Sequence, residues 1–209
     1  MKKLFCVLYF ILLVIACSKQ KPEMQEISFI NEVIKEARAA NKLLIIEFLT
    51  PECNPCVSLT RDIFDNENYR EFLDNNFLRV RVSPWDPVYN SLWNRYKLDY
   101  QNTVIYMDKN GNEIDRTVSY DGNSGSYINF MREVSEGKHL YSVVFSTYKK
   151  DTLDVYSNYI LATKLLFRNK ITEAINQYNK VLLLDPDNKS GFNDECRARI
   201  DESELKLGR

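Results

Sequence analysis

The hydrophobic pattern of this chain changes period along its length. After a polar stretch, Phe29, Ile30, Val33, Ile34 and Ala37 recur at helical spacing, which predicts an amphipathic helix capped by Ser28. Leu43-Leu44-Ile45-Ile46-Glu47-Phe48 is short, apolar and β-branched, the pattern of a buried strand. Thr50-Pro51-Glu52 marks a turn, and a helix from about Cys53 to Phe64 follows, carrying Val57, Leu59 and Ile63. Asp65-Asn66 interrupts it, and Asn66 can cap a second short helix, Tyr69 to Leu73. Phe77 to Val82 alternates apolar and polar, the period of a strand; Ser83 to Pro87 is a loop and Tyr89 to Tyr96 a helix. Thr103 to Met107 and Glu113 to Ser119 read as two strands joined by the hairpin turn Asp108-Lys109-Asn110-Gly111, where Asn-Gly supplies positive φ angles. A helix near Tyr127–Val134 completes the order α-β-α-β-α-β-β-α, and from Val155 onward the composition turns helical.

Charge removes one class of function. The 209 residues carry 28 lysines and arginines against 29 acids, interleaved without a basic run, so nucleic acid is not an expected partner. The N-terminus has a separate logic. Lys2 and Lys3 precede an unbroken apolar run, Leu4 to Ala16, too short to span a bilayer comfortably and suited to a signal-peptide core. It ends Val14-Ile15-Ala16-Cys17-Ser18, which resembles the lipobox of bacterial lipoproteins. That resemblance implies a signal peptide over 1–16, cleavage before Cys17, and a lipidated tether over 17–26. Cys6 would leave with the signal and Cys17 would carry lipid, so Cys53, Cys56 and Cys196 would be the usable thiols. Disulfides persist outside the cytoplasmic membrane. Cys196 reads as a small apolar residue packed in a helix.

Cys53-Asn54-Pro55-Cys56 places two thiols one helical turn apart, able to reach each other or a common partner. A helix start favours the thiolate of the first. Zinc sites share the Cys-x-x-Cys pattern but need two more ligands, and the chain offers His139 and Cys196, both distant in sequence. The surrounding elements separate the two possibilities: strand before, helix after, hairpin downstream. With Phe48, Cys53, Cys56, Val104, Tyr106, Met107, Asp108, Asn110 and Gly111 in their positions, residues 27–138 resemble the thioredoxin superfamily in its bacterial envelope branch. The implied fold is α/β, a central mixed sheet flanked by helices.

The resemblance also implies roles. Cys53 would be the nucleophile and Cys56 the resolving thiol, forming a redox-active disulfide. Glu47 stands where the family commonly has a buried acid and would take or give the proton of Cys56. Pro55 occupies the position of the family's Cys-Gly-Pro-Cys proline. Two positions depart from the pattern. Glu52 replaces the tryptophan that usually precedes the first cysteine, which disfavours a stable thiolate and leans toward a reducing couple; Tyr100 and Trp85 are the candidates to replace its apolar platform. Asn102 replaces the cis-proline of the substrate-binding loop, Asn102-Thr103. A cis bond before a non-proline residue costs about 3 kcal/mol, so a trans bond is expected there.

Residues 155–188 resemble one tetratricopeptide repeat. Ala162, Ala174, Tyr178, Val181 and Pro186 fall at its characteristic positions, and Leu182 to Asn188 is close to its usual ending. The helix pair would run about 153–168 and 171–184, with a third helix about 190–205. One repeat cannot bury its own core. The all-helical region 153–209 should therefore pack on the preceding domain or offer a surface to a protein partner, with 139–152 as the linker. The expected function is a thiol-disulfide oxidoreductase that needs no cofactor or metal. It would be lipid-anchored to a membrane of the bacterial cell envelope, on the periplasmic or extracellular side. Cysteine-containing exported proteins would be its substrates and a second protein its redox partner. The alternative is a non-catalytic binding or assembly lipoprotein with a structural or vestigial disulfide. A third reading, soft-metal handling by the two thiols, stays open at this point.

Overall fold

The computed structural model describes residues 22–138 and 140–208. The signal segment 1–16 and Cys17 lie outside the described residues. Among the described residues no helix is long and apolar enough to cross a membrane.

Helix α1 (Pro22–Ala40) begins earlier than a Ser28 cap would give, with Pro22 in the first turn, where a missing N–H costs nothing. Strand β1 (Leu43–Phe48) follows, then α2 (Asn54–Leu59), a π-helical turn (Thr60–Phe64), α3 (Glu67–Asn76) and β2 (Phe77–Arg81). After α4 (Tyr89–Arg95) come β3 (Thr103–Met107), β4 (Glu113–Val118) and α5 (Ser124–Ser135). The order matches the periodicity. The helix expected over 53–64 divides, because the Asp65 N–H reaches back to the Thr60 carbonyl at 2.8 Å and widens the last turn. Asn66 caps α3 as expected, its Oδ1 accepting from Asn68 N at 3.0 Å.

The sheet order is β2-β1-β3-β4, with β1 parallel to β2 and antiparallel to β3, and β3 antiparallel to β4. A central strand covered on both faces should be apolar throughout, as β1 is apart from Glu47. Ile45 and Leu49 join Leu59, Ile63, Met131 and Tyr106 in one core layer beneath α2 and α5. Leu44, Ile46 and Phe48 join Val33, Leu92 and Ile105 in the other, beneath α1 and α4. In the β3–β4 hairpin Asp108 Oδ1 accepts from Asn110 N and Asn112 N at 2.8 and 2.9 Å. Of the Asn-Gly pair, Gly111 alone takes a positive φ, +85°. A Cβ there would lie 2.3 Å from Ile34 Cδ1, so the turn also fixes how closely α1 approaches.

The segment 139–152 contains α6 (Tyr141–Lys150). Helices α7 (Val155–Leu166), α8 (Ile171–Leu184) and α9 (Asn193–Lys206) complete the chain near the expected boundaries. Leu161, Ala162, Ala174, Tyr178, Val181 and Cys196 form their own core. This region is joined to the sheet by charge. Asp115 of β4 is fully buried and receives Lys164 Nζ and Arg168 Nη2 of the helical region, the latter at 3.3 Å. Arg116 Nη1 donates to the carbonyls of Tyr96 at 2.9 Å and Phe167 at 3.3 Å. The β4 side of the sheet, an edge that would otherwise invite pairing, is thereby covered.

Candidate active site

Cys53 and Cys56 form a disulfide with Cα atoms 5.2 Å apart. Cys53 has extended backbone angles and is the N-cap of α2. Its Sγ accepts from Cys56 N at 3.2 Å. Proline explains the choice of donor. A cap side chain takes its bond from the second or third helical N–H. Pro55, at the second position, has none, so the N–H of Cys56 serves. The two sulfurs are unequal: Cys53 is half-buried and Cys56 almost wholly buried. A cleft of about 470 Å³ opens on the Cys56 side, lined among others by Thr50, Val57, Thr60 and Arg81.

Glu47 is buried on the same face of β1 as Ile45 and Leu49. Its Oε1 accepts from Arg79 Nε at 2.9 Å, and its Oε2 from Arg81 Nε and Nη2 at 3.1 and 3.0 Å. Arg79 also donates to the Phe64 carbonyl at 2.9 Å and lies over the Phe64 ring, so the charge pair ties β1 and β2 to the end of the π turn. Arg81 Nη2 reaches Thr60 Oγ1 at 3.3 Å and lines the cleft. The hydrogen bonds of Glu47 among the described residues go to these arginines; none reaches Cys56. The sequence held a signal for them: in Phe77-Leu78-Arg79-Val80-Arg81 the two cations share one face of a strand, beside a strand carrying a buried acid.

Two tyrosines share the core layer beneath the pair. Tyr106 donates to the Tyr127 hydroxyl at 3.1 Å, which lies 2.9 Å from Thr117 Oγ1. Burial pushes the Tyr127 hydroxyl up to about 12 and holds Tyr106 well above the ordinary range.

The loop before β3 lies next to Cys56. The Gln101 carbonyl oxygen is 3.9 Å from Cys56 Sγ. Asn102 is buried, and neither polar atom of its side chain has a hydrogen-bond partner. Thr103 is buried and donates from Oγ1 to the Tyr100 carbonyl at 2.8 Å. No peptide bond is cis among the described residues, in line with the trans bond expected at Asn102. Trp85 is 81% exposed, and Tyr100 is turned toward α9. Among the described residues no group of three or more His, Cys, Asp or Glu side chains is placed to hold a metal ion.

A family model described as a thioredoxin-like domain matches residues 30–125. Residues 30–125 are a thioredoxin-like domain. Solved structures similar to this part of the chain include a thioredoxin from Thermus thermophilus, at 18% identity over 50% of this chain and 82% of that one, with a TM-score of 0.43. A reduced thioredoxin pre-protein from Schistosoma mansoni is 17% identical over 49% of this chain and 87% of its own, with a TM-score of 0.37. The thioredoxin NaTrxh from Nicotiana alata is 16% identical over 49% and 82%, also at 0.37. No curated protein matches the chain. A thioredoxin-like domain with Cys-x-x-Cys at disulfide distance supports thiol-disulfide oxidoreductase chemistry in general, and with it a substrate protein and a redox partner.

Proposed function

We propose that this protein is a lipid-anchored thiol-disulfide oxidoreductase of the bacterial cell envelope, acting on cysteine-containing exported proteins. The asymmetry of the cysteine pair carries the reading: one sulfur is half-exposed at a helix cap and the other is buried one turn inside. A cap position accepting an N–H bond suits a thiolate, which is the attacking form. In the reducing direction, the Cys53 thiolate attacks one sulfur of a substrate disulfide. A mixed disulfide forms and one substrate thiolate leaves. The Cys56 thiolate then attacks Cys53 Sγ, the Cys53–Cys56 disulfide forms, and the second substrate thiolate leaves. Two electrons pass to the substrate, and a dithiol redox partner protein restores them. Glu47, with Arg79 and Arg81 about it, would accept the Cys56 proton through water in the adjoining cleft. The lipid anchor rests on Lys2-Lys3, the apolar run to Ala16, and Cys17. Two or three acyl chains would hold the protein stably on a bilayer.

The test is to trap the intermediate. Cys56→Ser should accumulate mixed disulfides with exported proteins through Cys53, and Cys53→Ala should abolish them. A Cys56→Ser protein that traps nothing makes the pair a structural disulfide and the protein a binding module. A labelled fatty acid should enter the wild-type protein and not Cys17→Ser.

A further inference from the structure

Helix α9 and the redox pair meet at one short loop. Tyr100 precedes Gln101, whose carbonyl faces Cys56 Sγ at 3.9 Å. The Tyr100 hydroxyl donates to Glu202 Oε1 at 3.1 Å and accepts from Lys206 Nζ. Lys206 also donates to Asp99 Oδ2 at 2.8 Å and stands 3.9 Å from the centroid of the Tyr100 ring. Glu202 and Lys206 lie one helical turn apart, so their side chains project from the same face of α9 and straddle one tyrosine. Other bonds to the loop run from Thr103 Oγ1 to the Tyr100 carbonyl and from Ser119 N to the Asn102 carbonyl, both 2.8 Å, and from Thr50 Oγ1 to Gln101 Oε1 at 3.5 Å. A loop without regular structure has no ladder bonds and depends on such contacts for its position. Gln101 itself is exposed.

We propose that Lys206 and Glu202 are positioning residues for the redox pair: through Tyr100 they hold the 99–102 loop against Cys56, making α9 part of the site. This rests on the oxidoreductase reading. When the disulfide is reduced, the Cys56 thiol gains a proton, and the Gln101 carbonyl stands where it can accept that S–H. Only the reduced form has an S–H to donate across this distance, so a fixed carbonyl favours reduction. The same fixed backbone presents a constant edge to a substrate chain beside Cys53. A loosened loop weakens both effects, whereas a small disulfide that needs no backbone edge is reduced as before.

The experiment compares full-length wild type with Lys206→Met, Tyr100→Phe and Lys206→Arg, and with Lys189→Met as a distant control. Three quantities are read: the Cys53–Cys56 equilibrium with glutathione, KM and kcat for insulin and for a small aromatic disulfide, and amide exchange over 99–102. Lys206→Met should move the glutathione equilibrium about threefold toward the disulfide. It should raise KM for insulin about fivefold, leave the small disulfide within about twofold, and speed exchange in the loop. Tyr100→Phe, which removes one oxygen, should do the same to a lesser degree, Lys206→Arg should restore wild-type values, and Lys189→Met should change nothing. Equilibrium, KM and exchange all unchanged in both Lys206→Met and Tyr100→Phe would overturn the proposal, as would failure of Lys206→Arg to restore them. A wild-type protein that reduces neither disulfide would sink the oxidoreductase reading alone. The glutathione equilibrium and the exchange rates would still decide the clamp.

Discussion

Glu47 stands opposite Arg81 in the parallel register of β1 and β2, and a single guanidinium closes on its Oε2 with two bonds. Arg79 holds the other oxygen from two positions along the same strand. The acid is buried while the arginines keep part of their surface in water. Its removal therefore leaves two like charges facing each other at the rim of the core. Glu47→Ala should cost about 2–3 kcal/mol in urea denaturation, less than a fully buried broken pair because both guanidinium groups stay partly hydrated. Unchanged stability would show that the pair contributes nothing to the fold.

The junction between sheet and helical region depends on Asp115 in the same manner, but more deeply. Burial lowers the proton affinity of Lys164, and Asp115 opposes that shift. Asp115→Ala should destabilise by about 3–5 kcal/mol. The double variant Asp115→Leu with Lys164→Met should recover part of the loss, since that apolar pair needs no counter-charge and Arg168 keeps Glu113 Oε1 at 3.4 Å. Urea midpoints of the two variants compare the outcomes directly.

Cys196 gives a pH dependence. It is fully buried, and burial pushes its thiol up to about 11 from an ordinary value of 9.0. Between pH 9 and 11 the unfolded chain has lost this proton while the folded chain keeps it. The folded state binds more protons, so stability falls as pH rises through that window and is fully present below it. From pH 8.5 to 10.5 the wild type should lose about 2 kcal/mol more than Cys196→Ala. An equal loss in both would remove the thiol as the cause.

Asn102 is buried with its amide unpartnered, an arrangement that costs free energy and returns none to the fold. Asn102→Leu, of similar size, should leave thermal stability unchanged or raise it by about 1 kcal/mol. A clear loss would mean that the amide is satisfied in solution by a bound water.

Much of this was legible in the chain. The period of apolar residues gave the strand and helix order, and the run over 43–48 marked a buried strand with its one acid. Asn66 named its own cap. Less legible was anything decided by long-range pairing. Arg79 and Arg81 stood on one face of β2, but their partner follows from the β1–β2 register, which no local pattern states. Glu202 and Lys206 resemble any exposed ion pair on a helix until α9 is laid beside Tyr100. The division of the 53–64 helix turns on one hydrogen bond between Asp65 and Thr60, and every residue in that stretch is compatible with an unbroken helix.

The sulfur that caps α2 is also the atom expected to exchange electrons, and so one amide proton watches both events. The Cys56 N–H points at Cys53 Sγ in the disulfide. A thiolate in the same place would draw that proton more strongly, and a neutral sulfur bonded to a substrate would hold it less strongly than the thiolate. The nuclear resonance of this one amide becomes a built-in gauge of where the protein stands in its cycle, readable without label or dye.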